Sequence, residues 1–392
     1  MSVQGKQLLA AVADRVREQR GTLLDALLHV ETYNTAQTEL DWTLAALEAD
    51  EQRVDWLDHR DPVGTVYVSI PATMPVYSFV LFALSPAAVG NRVVARAASA
   101  SRQCAQLMGD ILKDAGAEVS MTSAPWSEFS ARACAEADGV VFAGSAEHTR
   151  LFDERLPART RFIGQGPGVS AAVVTDEADL QQAARTVVRT RLFNNAQDCL
   201  ATERVYVAEP IYSTFIEALV AEANAITVGA NKDPSTDLGP LLMPEAATPW
   251  YSQLADLGSV VRKGHALDDG LYDLAIVEAE ADAPVVLDET FCPVLPVVRY
   301  TSTRQLQRML SAGRFALGMT IFGDSQRTGT ADFAHVAVNQ SIYDFEDAWA
   351  PFGGYRDTTL LRDAQTRRSG PVLVPYELST PREKGRAPER GW

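Results

Sequence analysis

The chain has 392 residues, 46% hydrophobic and 22% charged, which leaves room for two core-bearing domains and excludes a low-complexity polymer. A formal net charge of -16 excludes the broad basic face that nucleic acid requires, and no run of about eighteen apolar residues is present to span a membrane. The start, Met1-Ser2-Val3-Gln4-Gly5-Lys6, lacks the basic and apolar regions of a leader; Cys104, Cys134, Cys199 and Cys292 lack any paired spacing. A reduced cytoplasm is therefore expected, with no disulfide framework and no metal site.

Residues 5–58 read as helices, with Leu8, Leu9, Val12 and Val16, then Leu23, Leu24, Leu27 and Leu28, at helical spacing. Asp61-Pro62-Val63-Gly64 marks a turn, and Thr65 to Ile70 alternates as a strand. Pro71 to Pro75 then opens a helix that runs toward Gly90. Val93 to Arg96 is a second strand, Ser101 to Ala115 a helix, and Val140 to Ser145 a strand ending in small residues. Such alternation predicts a parallel sheet covered on both faces, with ligands at the carboxyl ends of its strands. Pro71–Pro75, Arg96–Ser99 and Gly144-Ser145 would then surround one crevice, where the turn at Gly144 and Ser145 offers N–H groups to a pyrophosphate. Gly144-Ser145 also marks any tight turn.

Gly164-Gln165-Gly166-Pro167-Gly168 imitates a dinucleotide-binding glycine fingerprint, but it precedes the strand-like Ala171 to Val174 and opens no helix. A helix-patterned run from Ala178 to Leu192 breaks at Asn194-Asn195. Cys199 follows, and Val205 and Val207 announce a strand. A cysteine at such a break can present its sulfur to a cleft as a nucleophile, although a lone cysteine is more often a small buried hydrophobe. Beyond it, Ile211 to Ala223 reads as a helix. Val285–Val298, Met319–Phe322, Val336–Tyr343 and the short run 370–376 read as strands, and Thr380–Trp392 as a polar tail that is disordered or wraps a neighbour.

The segment Asn194-Asn195-Ala196-Gln197-Asp198-Cys199, with Arg204-Val205-Tyr206-Val207 after it, resembles the active-site segment of the aldehyde dehydrogenase superfamily. Leu238-Gly239-Pro240-Leu241, Glu289-Thr290-Phe291-Cys292-Pro293-Val294 and Pro351-Phe352-Gly353-Gly354-Tyr355 follow in family order. The resemblance implies a Rossmann-like cofactor domain joined to an α/β catalytic domain. It implies Cys199 as nucleophile, with its own N–H at the oxyanion. Glu289 is assigned to the nicotinamide ribose, Phe291 to the ring, and Phe352 to the substrate tunnel. For Glu289 a solvated surface acid and for Phe352 an ordinary core aromatic are the competing readings.

Several positions depart from the family pattern. Thr73 replaces the asparagine that completes the oxyanion hole, a donor worth roughly 2.7–4 kcal/mol, and Ala72 replaces a tryptophan. Arg96 and Ser99 stand where a lysine and often a glutamate meet the adenosine ribose, so a 2′-phosphate is no longer repelled and Arg96 can pair with it. Gln165 stands where the general-base glutamate would be, and an amide cannot take a proton from water near neutral pH. The part before Cys199 is short, and the oligomerisation hairpin is missing between Leu57 and Thr65.

The expected protein is an α/β oxidoreductase with a cofactor domain over 1–168, a catalytic domain over 169–365 and an oligomerisation strand and tail over 366–392. It interconverts an aldehyde and an acyl-thioester on Cys199 with NADP or NAD, NADP favoured. Gln165 points to acyl reduction or transfer to a thiol acceptor. An ordinary hydrolytic dehydrogenase and a non-redox acyl-transfer or scaffold protein on the same fold are the alternatives. The acids of Phe345-Glu346-Asp347 disfavour an anionic substrate. Val372 to Val374, an edge strand in need of a partner, predicts a homodimer.

Overall fold

The computed structural model describes residues 4–328 and 332–382; most of the polar tail from Thr380 lies outside the described residues. Two seven-stranded sheets organise the chain. In the first, the parallel strands Val119–Met121, Arg92–Ala97, Thr65–Ile70, Gly139–Ala143 and Arg161–Gln165 lie side by side in that order. The chain thus winds outward from Thr65–Ile70 in one direction, then returns to its other side. That reversal, between Thr65–Ile70 and Gly139–Ala143, is where a doubly wound sheet leaves a crevice at its carboxyl edge.

Helices Gln4–Glu18, Arg20–Leu27 and Tyr33–Leu47 follow the expected periodicity. Their buried Leu9, Val12, Val16, Leu23, Leu27 and Leu40 share one core with Val66, Val68 and Val93 of the sheet. Phe129, Phe142, Phe152 and Phe162 fill the opposite face around Trp126, in rings packed edge-on or tilted. The helix after Pro71–Thr73 runs from Pro75–Phe79 through a π-turn at Val80–Leu84 to Ser85–Ala88.

The second sheet runs His335–Val338, Gly318–Phe322, Ser170–Val174, Thr202–Ala208, Val294–Tyr300, Ala275–Glu278 and Ser259–Arg262. All its pairs are parallel except the last. Every residue of Thr202–Ala208 is buried, as a central parallel strand covered by helices requires. Leu180–Leu192 and Tyr212–Asn224 share a core on one face, and Thr303–Ala312 packs on the other.

Several expected strands differ. Val285–Val298 divides into the helical turn Pro284–Leu287 and the strand Val294–Tyr300, because Pro284 opens a helix more readily than it continues a ladder. Val336–Tyr343 is the strand His335–Val338 followed by the 3-10 turn Ile342–Phe345, which Ser341 and Asp344 close with a reciprocal capping box. The strand expected at 370–376 is a single bridge between Val372 and Phe352 and then the short helix Val374–Glu377, with Pro375 in its first turn. Val372 exchanges both backbone hydrogen bonds with Phe352, at 2.8 and 3.0 Å. The edge strand from which a dimer was expected is thus satisfied within the chain.

The chain also returns to its first domain. Thr359–Arg362 pairs antiparallel with Arg161–Gln165, Arg367–Arg368 pairs beside it, and Ser379–Pro381 pairs with Arg60–Pro62. Residues 359–362, expected in the catalytic domain, therefore extend the first sheet.

Candidate active site

The two sheets meet through one short link. Gln165 ends a strand of the first sheet, and Ser170 begins a strand of the second. Gly168 in that link lies against Cys199, three residues before the strand Thr202–Ala208. A β-carbon on Gly168 would fall 1.8 Å from the Cys199 carbonyl oxygen and 2.6 Å from Leu317, so no side chain fits there. The carboxyl edge of one sheet and the amino edge of the other thus enclose Cys199.

The loop that carries Cys199 is held by buried amides. Asn194, Asn195 and Ala196 take φ values of 50°, 57° and 62° in succession, a conformation asparagine tolerates and alanine resists. The Asn195 side chain accepts from Gly239 N at 2.7 Å and donates to Pro240 O at 3.2 Å. Gln197 donates to Met243 O and Phe291 O, each at 3.2 Å, and accepts from Met243 N at 3.1 Å. These bonds tie the sequence runs 194–199, 238–241 and 289–294 into one unit and hold the strained backbone.

Cys199 is half-buried and packs in an apolar cluster with Leu200, Leu317, Ala337, Ile342, Tyr343 and Phe352. Burial raises its thiol pKa well above the ordinary value, and the negative charges of Asp198, Glu289 and Glu346 raise it further. Asp198 accepts from Leu200 N at 2.9 Å and from the Tyr343 hydroxyl at 2.8 Å. Glu289 accepts from Gly168 N at 2.8 Å, which fixes its carboxylate at the link between the sheets. Burial first, and then the charge of Glu203, push the Glu289 carboxyl up to about 8. A solvated surface acid is therefore not what Glu289 is.

The structure brings Cys199, Glu289, Phe291 and Phe352 together. Phe291, at φ 51°, is strained and gives its carbonyl to Gln197, while Phe352 stacks on His335 with ring centroids 5.2 Å apart. Gln165 is buried, and its side-chain oxygen accepts from the Thr359 hydroxyl at 2.8 Å. Thr73 sits half-buried in the turn before Pro75–Phe79, at the switch-point crevice. Ser99 is exposed past the end of Arg92–Ala97. Arg96 donates to Ala124 O at 3.0 Å and lies 5.9 Å over the Trp126 ring. Gly144 does not offer its N–H as expected, since it donates to Gln165 O at 3.0 Å. Ser145 caps the helix Ala146–Arg155 by accepting from His148 N at 3.2 Å, and Ala146 and Glu147 supply the remaining first-turn N–H groups.

Sequence reasoning missed the support beneath Glu289 and Phe291. Arg191 and Glu203 are fully buried and paired at 2.7 Å. Glu203 also accepts from Thr290 N at 3.0 Å, the Thr290 hydroxyl at 2.7 Å and Phe291 N at 3.3 Å. Arg191 donates to the Thr290 hydroxyl at 2.7 Å and to Cys292 O. No local signal marks the pair: Arg191 is one of two basic residues in the last turn of Leu180–Leu192, and Glu203 one of two charged residues in Thr202–Ala208.

A half-buried cysteine on an amide-stitched loop, between a doubly wound sheet and a second, mostly parallel sheet, defines a class of two-domain α/β proteins. The model of the aldehyde dehydrogenase family matches residues 6–368, and the chain belongs to that family of oxidoreductases. A succinate-semialdehyde dehydrogenase [NADP(+)] of Mycobacterium leprae is 28% identical over 331 residues, 79% of this chain and 71% of that protein. A lactaldehyde dehydrogenase of Methanocaldococcus jannaschii is 25% identical over 323 residues, 78% of this chain and 69% of that one. Among solved structures, a succinic semialdehyde dehydrogenase from Streptococcus pyogenes in complex with NADP+ superposes with a TM-score of 0.86 at 20% identity, over 97% of this chain and 89% of that one. That likeness shows the fold.

Proposed function

We propose that the protein oxidises an aldehyde to an acyl-thioester on Cys199 and passes the acyl group to a thiol in preference to water. The observation that carries this is the placement of Cys199 beside Glu289 at the link between the sheets, with an amide, Gln165, at the position that the resemblance gives to the base. The residues present fit a nicotinamide cofactor: the crevice lies at the sheet's reversal, the first turn of Ala146–Arg155 has N–H groups for a pyrophosphate, and Glu289 is fixed to meet a ribose. Arg96 and the NADP named for the relatives favour NADP over NAD. When bound, the cofactor supplies the acceptor for the hydride that the aldehyde carbon loses.

The chain's own residues do the rest. The Cys199 thiol releases its proton to solvent, the sulfur of the resulting thiolate bonds to the carbonyl carbon, and the negative oxygen so formed takes a hydrogen bond from the Cys199 N–H and from Thr73. Loss of hydride from that carbon leaves the thioester. A thiolate acceptor then attacks the same carbon, the Cys199 sulfur leaves as thiolate, and the acyl group departs as a new thioester. Water attack lacks a base, because the Gln165 amide binds no proton near pH 7. One observation favours slow hydrolysis as a second reading. Glu289, with its carboxyl near 8, gains base character as the pH rises past that value.

Aldehyde and oxidised NADP, without added thiol, should give about one equivalent of reduced cofactor per active site and then stall. An added small thiol should restore turnover, and Cys199→Ala should abolish both phases. Steady acid production without thiol would remove the transfer step. No reduced cofactor with any aldehyde would remove the oxidoreductase reading.

A further inference from the structure

A cavity of about 230 Å³ is lined by Leu200, the residue that follows Cys199. Leu200, Ile342 and Phe352, which pack with Cys199, form its inner wall, and Phe345, Glu346 and Asp347 form its rim. The lining includes two carboxylates and neither lysine nor arginine. Glu346 accepts from the Tyr77 hydroxyl at 2.7 Å, and its charge is among those that raise the Cys199 thiol. Burial raises the Glu346 carboxyl above its ordinary range, so a cation in the cavity would favour its charged form. Asp347 pairs with Arg53, so that acid is balanced from outside. His335 adds little positive charge, because burial lowers its pKa more than the 3.2 Å contact of Nε2 with Gly353 O raises it. Phe345 is 55% exposed at the rim and, with Phe352, provides two aromatic surfaces close to Glu346.

We infer that this cavity selects aldehydes that carry a positive charge away from the carbonyl, short ω-ammonio or quaternary ammonium aldehydes, and rejects carboxylate-bearing ones. The inference rests on the reading of Cys199 as the nucleophile toward aldehydes. A cation meets the Glu346 carboxylate and the faces of the rim aromatics, both of which attract it, while the aliphatic part lies on Leu200 and Ile342. A carboxylate at the same depth meets Glu346 with no cation in the lining to pair with, and desolvation adds to that penalty. The related protein named for succinate semialdehyde acts on an anion. This chain diverges from it in substrate charge.

The test compares kcat/KM for trimethylammonio-acetaldehyde, 3,3-dimethylbutanal and succinate semialdehyde, with oxidised NADP and a thiol acceptor. The neutral member matches the first in shape. The cation should exceed the neutral aldehyde by about tenfold, and the anion should fall below it by at least as much. In Glu346→Gln, whose side-chain oxygen still accepts from Tyr77, the cation-to-neutral ratio should drop toward one. A second readout needs no turnover: tetramethylammonium should slow alkylation of Cys199 by iodoacetamide, and butyrate at equal concentration should not. Equal protection, or equal use of the cation and succinate semialdehyde, overturns the charge selection while leaving the aldehyde chemistry standing. Protection by the cation with no turnover of any aldehyde would place the failure in the oxidoreductase reading.

Discussion

Three carboxylates act on Cys199, and the residue therefore rests as a thiol. Burial and the charges of Asp198, Glu289 and Glu346 all disfavour the thiolate, so its population grows only as pH rises toward the elevated pKa. Alkylation of the free protein by iodoacetamide should be slow at pH 7.5 and should accelerate with pH without levelling below pH 9. Asp198→Asn removes the nearest acid while keeping an acceptor for Tyr343. A one-unit fall in thiol pKa would raise the thiolate fraction, and with it the alkylation rate, about tenfold at pH 7.5. An unchanged rate in that variant would show that the Asp198 charge does not act on the thiol.

At the scale of elements, the pieces of the site are held by charges with no exposure to water. Arg191 on the helix before Cys199 and Glu203 on the strand after it together grip Thr290 and Phe291, and through them Glu289. Removing one partner of a buried pair leaves the other uncompensated and costs roughly 3–5 kcal/mol. Glu203→Ala should lose about that much stability in urea unfolding and should also weaken cofactor binding, since Glu289 loses its footing. Full stability in the variant would mean that the loop is held elsewhere.

A second buried pair lies between helices. Glu31 and Glu39 are both buried and interact side chain to side chain, and Glu39 accepts from Tyr77 N at 2.8 Å. Burial raises Glu39 from 4.5 to about 7 and drives Glu31 upward as well. Above pH 4.5 the folded protein thus holds a proton that the unfolded chain releases. Stability should fall as pH rises from 4.5 to about 7, by an amount on the order of a few kcal/mol. Glu39→Gln should flatten that decline and should melt higher than the parent at pH 8. Parallel melting curves for the two proteins across pH 5 to 8 would contradict the buried charge.

Seen whole, the molecule was legible in the sequence where structure is local. The helices of residues 5–58, the strand Thr65–Ile70 and the break at Asn194-Asn195 follow from periodicity and turn chemistry within a few residues. The placement of Thr73, Arg96 and Ser145 at the carboxyl ends of neighbouring strands followed from the alternation of strands and helices. What could not be read depends on partners far along the chain. Thr359–Arg362 finds Arg161–Gln165 nearly two hundred residues away, and Val372 finds Phe352, so an apparent free edge is already covered. Gly144 looked like a donor to a ligand because its partner, Gln165 O, sits on a neighbouring strand. The Arg191–Glu203 pair was hidden for the same reason: each residue is unremarkable alone and explicable only beside the other.

The central claim joins both domains: Cys199, from the second sheet, forms a thioester that Gln165, from the first, does not help to hydrolyse. Intact mass after incubation with a reactive aldehyde and oxidised NADP tests it most directly. The parent should gain the mass of one acyl group, on Cys199 and absent in Cys199→Ala. That adduct should disappear when a thiol is added. Gln165→Glu should shorten its lifetime by about 10²–10⁴-fold, the usual worth of a positioned general base. A parent that never accumulates the adduct while producing free acid would contradict the account.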